Sequence, residues 1–503
     1  MGNGRRKGLA RVARVGTLTL AFAGGGAATS AAAQTPADYQ RLIEGAQPEA
    51  SDTTLARFTL EELMERFGIP GVSIAVIHDF RIHWAKGYGV RDVETGEPVD
   101  VETMFHAASI SKPVAAMGSL KAVQDGVFGL DDDINDILTS WQLDGGELTR
   151  NQAVTPRMLM SHTSGLGDGF GFPGYEPGEP LPTTVQIVAG HELSNVGPIF
   201  MERAPMEAYE YSGGGVTLQE LVLSDARGRA FEEVMREQVL EPIGMTRSSF
   251  EQPISPENDR NAARAHGNDG DSMGPKWHVY PEMAAAGLWT TPTDLARFAI
   301  EVQRSVRGES NRVLSRSMAR EMITPVGVGD YAVGFALARR GQGWYFAHGG
   351  GNWGFRCYLI AHTTKGYGFA VMTNSDGGGA IQSELMRRIG RAYGWDSEAP
   401  PVPRGYQPPP AEEDVVDVDP TVLERYQGTF RMNDGTELVV VVRDERLAIE
   451  VSGEAYPLLA LSNTEFHMAG VGARVRFDPD DSGMVDAMGV VVSGKSQRAP
   501  RTR

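Results

Sequence analysis

Strand-patterned segments stand at both ends of a long helical stretch, and this arrangement limits the folds open to the chain. Residues 71–77 and 82–88 read as two β-strands joined by a short turn at Asp79-Phe80-Arg81. Much later, residues 331–339, 344–347, 357–362 and 368–373 read as a further antiparallel series. Between the two groups, residues 109–125, 216–226, 231–239, 292–305 and 315–322 carry helical patterns, with 54–67 before them and 381–393 after. Helix 109–125 tolerates Pro113 because it lies in or near the first turn, where backbone N–H groups have no partner. Residues 166–182, rich in Gly and Pro, are expected as a long loop. Strands at both ends of a helical stretch share a sheet when the terminal segments meet. The predicted class is α+β: an antiparallel sheet flanked by helices, plus an all-α region.

Two further segments stand apart. Residues 398–420 hold seven prolines and the acidic run Glu412-Glu413-Asp414, which predicts an exposed linker. Beyond it, residues 426–432, 437–442, 447–451, 456–461, 465–469, 473–477 and 485–492 read as short strands. Turn signals at Asn433-Asp434-Gly435 and Asp481-Ser482-Gly483 separate them, so a small all-β barrel or sandwich is expected. At the other end, Arg5, Arg6, Lys7, Arg11 and Arg14 precede an apolar run over 15–23 and the small residues Ala31 and Ala33. That layout predicts a cleavable secretory signal, and the run is too short to span a membrane. The expected organisation is a signal over 1–33, a main domain over 34–397, a linker over 398–420 and a β domain over 421–503, in a periplasmic or secreted protein.

Charge narrows the partners. Lys and Arg number 47 against 65 Asp and Glu, a formal net charge of −18. Such a surface repels phosphate backbones and anionic lipid, so neither nucleic acid nor a membrane is expected as a partner. Cys357 is the lone cysteine and lies in the apolar stretch 355–361. An exported chain with one thiol has no internal disulfide, and the residue is expected to be a buried structural thiol.

Three short patterns carry chemistry. In Ser109-Ile110-Ser111-Lys112, residues three apart on a helix face the same way, which sets an amine beside a hydroxyl. S-x-x-K is common by chance, and alone it identifies nothing. In Tyr211-Ser212-Gly213-Gly214-Gly215, a phenol beside a lysine can pass a proton, although a packed tyrosine in a glycine turn reads the same way. In His348-Gly349-Gly350-Gly351, small residues after the strand 344–347 let a substrate lie against backbone, and a histidine there can donate to it. The plain alternative is a turn histidine in a glycine loop.

The order of these patterns resembles the serine β-lactamase and penicillin-binding protein superfamily, whose S-x-x-K motif is followed by a middle motif and a strand-borne K-T-G. The class C-like branch, related to esterases and D-aminopeptidases, is the most similar. Phe105-His106-Ala107-Ala108 before Ser109, the run Leu159-Met160-Ser161-His162-Thr163-Ser164-Gly165-Leu166, and Glu241-Pro242-Ile243-Gly244-Met245 also match. The tail resembles the lipocalin-like module appended to such enzymes. The resemblance implies a β-lactamase/DD-peptidase-like sheet and a serine hydrolase acting through an acyl-enzyme on Ser109. Lys112 would be its proton partner and Tyr211 the general base and acid. The N–H groups of Ser109 and Gly351 would form the oxyanion hole, with His348, Gly350 and Gly213 against the substrate. Gly213 replaces the usual Asn, and His348 replaces Lys, turning a fixed charge into a titratable one. The expected partner is a small acyl substrate, with esters first, D-amino-acid peptides second and β-lactams third. The rival reading is a non-catalytic binding protein on the same fold. His191-Glu192 lacks the second histidine of a zinc motif and no Walker-type loop is present, so no cofactor or metal is expected.

Overall fold

The computed structural model describes residues 34–502 except 48–53, 168–171, 342, 398, 400, 403–414, 433–435, 444–445, 452–453, 469–472, 481–482 and 493–494. The expected signal, most of the linker and the turn at 433–435 lie outside the described residues.

Helix α1 (Pro36–Glu44) starts at a capping box in which Thr35 and Asp38 satisfy each other's backbone N–H groups. Helix α2 (Leu60–Arg66) starts in the same way from Thr59 and Glu62, and buries Leu60, Leu63 and Met64. That cap splits the helix expected over 54–67, leaving Thr54–Arg57 as a 3₁₀ turn. The hairpin follows as expected, with β1 (Gly71–His78) paired to β2 (Arg81–Asp92). Then come α3 (Ser111–Gln124), α4 (Gly213–Arg227) and α5 (Pro292–Arg307). The chain returns through β3 (Ala336–Arg340), β4 (Gly343–Asn352), β5 (Phe355–His362) and β6 (Gly368–Thr373), and α6 (Gly379–Tyr393) closes the series. Residues 331–335, expected as strand, contribute only an isolated bridge at Tyr331.

β1 pairs with β6, so the two ends of the domain share one sheet. The sheet has eight strands, all antiparallel, ordered Pro401–Val402, β3, β4, β5, β6, β1, β2, Glu97–Pro98. Both its faces are covered, which is why β1 is a near-continuous apolar run. Ile74, Val76, Ile360 and Val371 face Leu385 and Ile389 of α6. Ala75, Ile77, Phe346 and Met372 face the larger helical core, where Met117, Leu120, Val222 and Val302 lie. Helix α3 is buried nearly all round within that core.

The C-terminal strands Gly428–Arg431, Glu437–Arg443, Arg446–Val451, Glu454–Ala460, Glu465–Met468, Ala473–Phe477, Ala487–Val492 and Lys495–Pro500 form an antiparallel meander in chain order. A bridge between Phe430 and Arg501 nearly closes it into a barrel. Phe430, Val440, Ile449, Phe466, Val475 and Met488 fill its interior. Tyr426 belongs to a short helix, Pro420–Tyr426, and not to the first strand as expected. Its ring stacks on Phe477 at 4.4 Å. The last strand, Lys495–Pro500, carries no apolar alternation and was not expected.

Candidate active site

Ser109 lies in the 3₁₀ turn Ala108–Ile110 that leads into α3. It is the one partly exposed residue in the otherwise buried run 103–120. Ala108 has φ +49°, a left-handed conformation that costs a residue with a side chain about 1–3 kcal/mol. Its surroundings impose it. The Ala107 N–H donates to Leu288 O at 2.8 Å. Ser111 Oγ donates to Ala108 O at 2.6 Å and accepts from the Leu288 N–H at 3.0 Å. The Cys357 thiol donates to Ala107 O at 2.8 Å, and burial pushes its pKa up, so this thiol is structural as expected.

One turn along α3, Lys112 Nζ donates to Ser109 Oγ at 3.1 Å and to Ala285 O at 2.8 Å. The lysine is only 4% exposed and, among the described residues, forms no ion pair. A buried ammonium without a carboxylate is costly to hold. Here a hydroxyl, a carbonyl and the face of Tyr211, with its centroid 5.0 Å from Nζ, take that place. Tyr211 directly precedes Ser212, the N-cap of α4, whose Oγ accepts from the Gly215 N–H at 2.8 Å. Gly213, Gly214 and Gly215 are therefore the buried first turn of a helix and not a free glycine turn. The structure thus brings Tyr211, from a distant part of the chain, beside the Ser109–Lys112 pair.

The glycines after His348 do not form a loop either, since β4 runs on to Asn352 and pairs with β5 throughout. A two-residue turn, Trp353-Gly354, joins these strands, so Asn352 and Phe355 are a hydrogen-bonded pair and Gly351 and Arg356 are not. The Gly351 N–H consequently points away from β5, on the side where β3 has ended. Gly350 packs on the nucleophile turn: a Cβ there would lie 2.3 Å from Ala107 O and 2.4 Å from Cys357 Sγ. At Gly351 the nearest atom to a Cβ would be Arg356 Cδ at 3.5 Å, an ordinary contact. Gly350→Ala is therefore expected to lower both activity and melting temperature, whereas Gly351→Ala is expected to change the melting temperature little. Equal melting temperatures for the two variants would contradict this packing.

His348, expected as a titratable group, is held in one protonation state. It is buried, and burial, followed by the charge of Lys112, pushes its pKa down to about 3, so it is neutral at pH 7 rather than a cation. Its Nδ1 lies 2.6 Å from Gly349 O and must carry the proton. Nε2 then accepts from Tyr331 Oη at 3.2 Å. Both ring nitrogens are engaged within the protein, and no positive charge stands at this position.

The short helix Met283–Ala286 braces these parts. Ala285 O receives Lys112, Ala286 O receives Asn352 Nδ2 at 3.0 Å, and the Ala284 N–H donates to Glu220 at 2.7 Å. Glu282, which caps this helix, is fully buried with neither carboxylate oxygen bonded. Burial raises its pKa from 4.5 to about 7 and that of Glu220 to about 8. A carboxyl whose folded pKa is raised keeps its full stability below its unfolded pKa and loses it as pH climbs through the folded value. Between pH 5.5 and 8.5, the stability gap between wild type and Glu282→Gln is expected to move in favour of Gln by on the order of 2 kcal/mol. Urea unfolding at the two pH values measures this, and a gap independent of pH would contradict it.

Several neighbours were not singled out from sequence. Tyr331 belonged to a supposed strand, and Asn352 to no motif. His162 lay within a matching run but had no assigned role. The pentapeptide Gly270-Asp271-Ser272-Met273-Gly274 fits a G-x-S-x-G pattern, yet it lies in a loop with no helix after Ser272, so it forms no nucleophile elbow.

The family model described as Beta-lactamase matches residues 57–393. The chain is 22% identical to Penicillin-binding protein 4* of Bacillus subtilis (strain 168), over 79% of this chain and 87% of that one. In structure it is similar to the octameric penicillin-binding protein homologue from Pyrococcus abyssi, with TM-score 0.55 and 21% identity over 88% of this chain and 98% of that one. It is also similar to the D-amino acid amidase from Ochrobactrum anthropi SV3 complexed with L-phenylalanine amide, with TM-score 0.52 and 21% identity over 71% and 99%. At these identities the structural likeness is one of fold. The family match, covering more than half of the sequence, carries the assignment: this chain belongs to the beta-lactamase family of serine hydrolases.

Proposed function

We propose that the cleft at Ser109 hydrolyses small acyl substrates through a covalent acyl-enzyme. The observation that carries this reading is the convergence of Lys112 Nζ on Ser109 Oγ at 3.1 Å with the Tyr211 ring beside the same nitrogen. Ser109 Oγ attacks the substrate carbonyl, and its proton passes to the Lys112–Tyr211 pair, which accepts it in the form holding one proton fewer than ammonium plus phenol. The tetrahedral oxyanion accepts from the N–H groups of Ser109 and Gly351. The pair returns the proton to the leaving oxygen or nitrogen, and the carbonyl reforms as an ester of Ser109. Water then attacks that ester, giving its proton to the same pair, and Ser109 leaves as the alcohol.

The neutral His348 guides the choice of substrate. With no fixed cation on β4, a β-lactam carboxylate has no charge partner at that position. Carboxylic esters and D-amino-acid peptides or amides suit the site better, and the D-amino acid amidase among the structural relatives supports including amides. A panel of p-nitrophenyl esters, D-Ala peptides and nitrocefin tests this reading. Turnover of an ester or a D-Ala peptide with nitrocefin slowest supports it, and nitrocefin as the fastest substrate contradicts it. We further propose that residues 1–33 direct export, on the strength of their basic start and Ala31/Ala33 pair. An N-terminus at Gln34 in the exported protein supports this, and one at Met1 contradicts it.

A further inference from the structure

His162 bonds the backbone on both sides of Tyr211. Its carbonyl accepts from the Glu210 N–H at 2.8 Å, and its Nδ1 accepts from the Ser212 N–H at 3.2 Å. An Nδ1 that accepts fixes the tautomer with the proton on Nε2. The ring centroid lies 4.3 Å from that of Tyr211. The residue is 1% exposed and held at φ +59°, a left-handed conformation that few non-glycine residues adopt, His, Asn and Asp among the more frequent. Among the described residues, nothing bonds its buried Nε2. Burial, then the charge of Lys112, keeps the imidazole neutral. A buried histidine with one nitrogen left unsatisfied is poor for stability alone.

We propose that His162 is a positioning residue for Tyr211, its Nδ1 and carbonyl together fixing the segment 210–212 so that the phenol meets Lys112. This deepens the acyl-transfer reading and rests on it. The mechanical reason is short. Tyr211 precedes a helix that begins with three glycines, and such a start does little to hold the phenol by itself. The clamp from His162 supplies the missing restraint. Misplacing a catalytic group by about 1 Å costs on the order of 100-fold in rate.

The experiment compares His162→Asn, His162→Gly and Tyr211→Phe in the full chain, using the ester or peptide that the panel shows to be turned over. Asn offers Oδ1 near the place of Nδ1 and accepts a left-handed φ. Gly relieves the backbone conformation but removes the acceptor. His162→Gly is expected to lower kcat about 100-fold with KM little changed. His162→Asn is expected to stay within about tenfold of wild type in kcat. Melting temperatures establish that each variant is folded. Should His162→Gly be folded and as active as wild type, or His162→Asn be as impaired as His162→Gly, the clamp is overturned. Tyr211→Phe separates the two readings. If it is inactive while His162→Gly works normally, only the clamp fails; if it keeps full turnover, the role of Tyr211 itself fails, and the clamp with it.

Discussion

Ser109→Ala is expected to lower kcat by at least about 10⁴-fold, the largest effect of any single substitution considered. The variant removes one partly exposed hydroxyl from a turn whose conformation is set by Ala107, Ala108, Ser111 and Leu288. None of those bonds involves the Ser109 side chain, so the melting temperature should hold while turnover disappears. Only the contact from Lys112 Nζ is lost, and that ammonium keeps its bond to Ala285 O. A folded Ser109→Ala protein that hydrolyses substrate at more than about a hundredth of the wild-type rate would show that the nucleophile lies elsewhere.

Lys112→Met is expected to cost about 10³-fold or more in kcat, since it removes the group that contacts Ser109 Oγ and leaves a side chain of similar length. Met fills the buried channel but donates nothing, so Ala285 O loses its partner at a cost of about 1–3 kcal/mol in stability. The combination of a moderate fall in melting temperature and a large fall in kcat distinguishes this residue from one that only packs. Lys112→Arg should not rescue the rate. Lys112 is 4% exposed and held between Ala285 O and the Tyr211 ring, so a bulkier planar guanidinium would have to displace one of them. Wild-type labelling by a fluorophosphonate in Lys112→Met would show that the proton leaves Ser109 by another route.

Much of the fold was legible because its main signals are local. The hairpin β1–β2 shows in the apolar run around Asp79-Phe80-Arg81, and α3 in its run of helix-forming residues ending before Gly126. Sharing of one sheet by the chain's two strand groups followed from their positions alone. What failed to read depends on tertiary contact. Glycines at 349–351 argue against strand by propensity, yet β4 continues through them because Ala107 O and Cys357 Sγ leave no room for a side chain at Gly350. The left-handed Ala108 has no sequence signal whatever. That His348 is titratable followed from residue type, whereas its neutrality follows from burial beside Lys112, which no local pattern reveals. Tyr331 points the same way: read as a strand residue, it instead donates its phenol to His348. The motif residues themselves were visible from their order along the chain, and the structure brings them into contact.

The central claim concerns one bond, between Ser109 Oγ and an acyl or phosphonyl group. Treating the protein with a fluorophosphonate, digesting it and mapping the adduct by mass spectrometry tests that bond directly. The account expects a single adduct on the peptide carrying Ser109, absent from Ser109→Ala. An adduct on any other residue, Ser272 included, or a wild-type protein that takes up no acylating reagent at all, would contradict it.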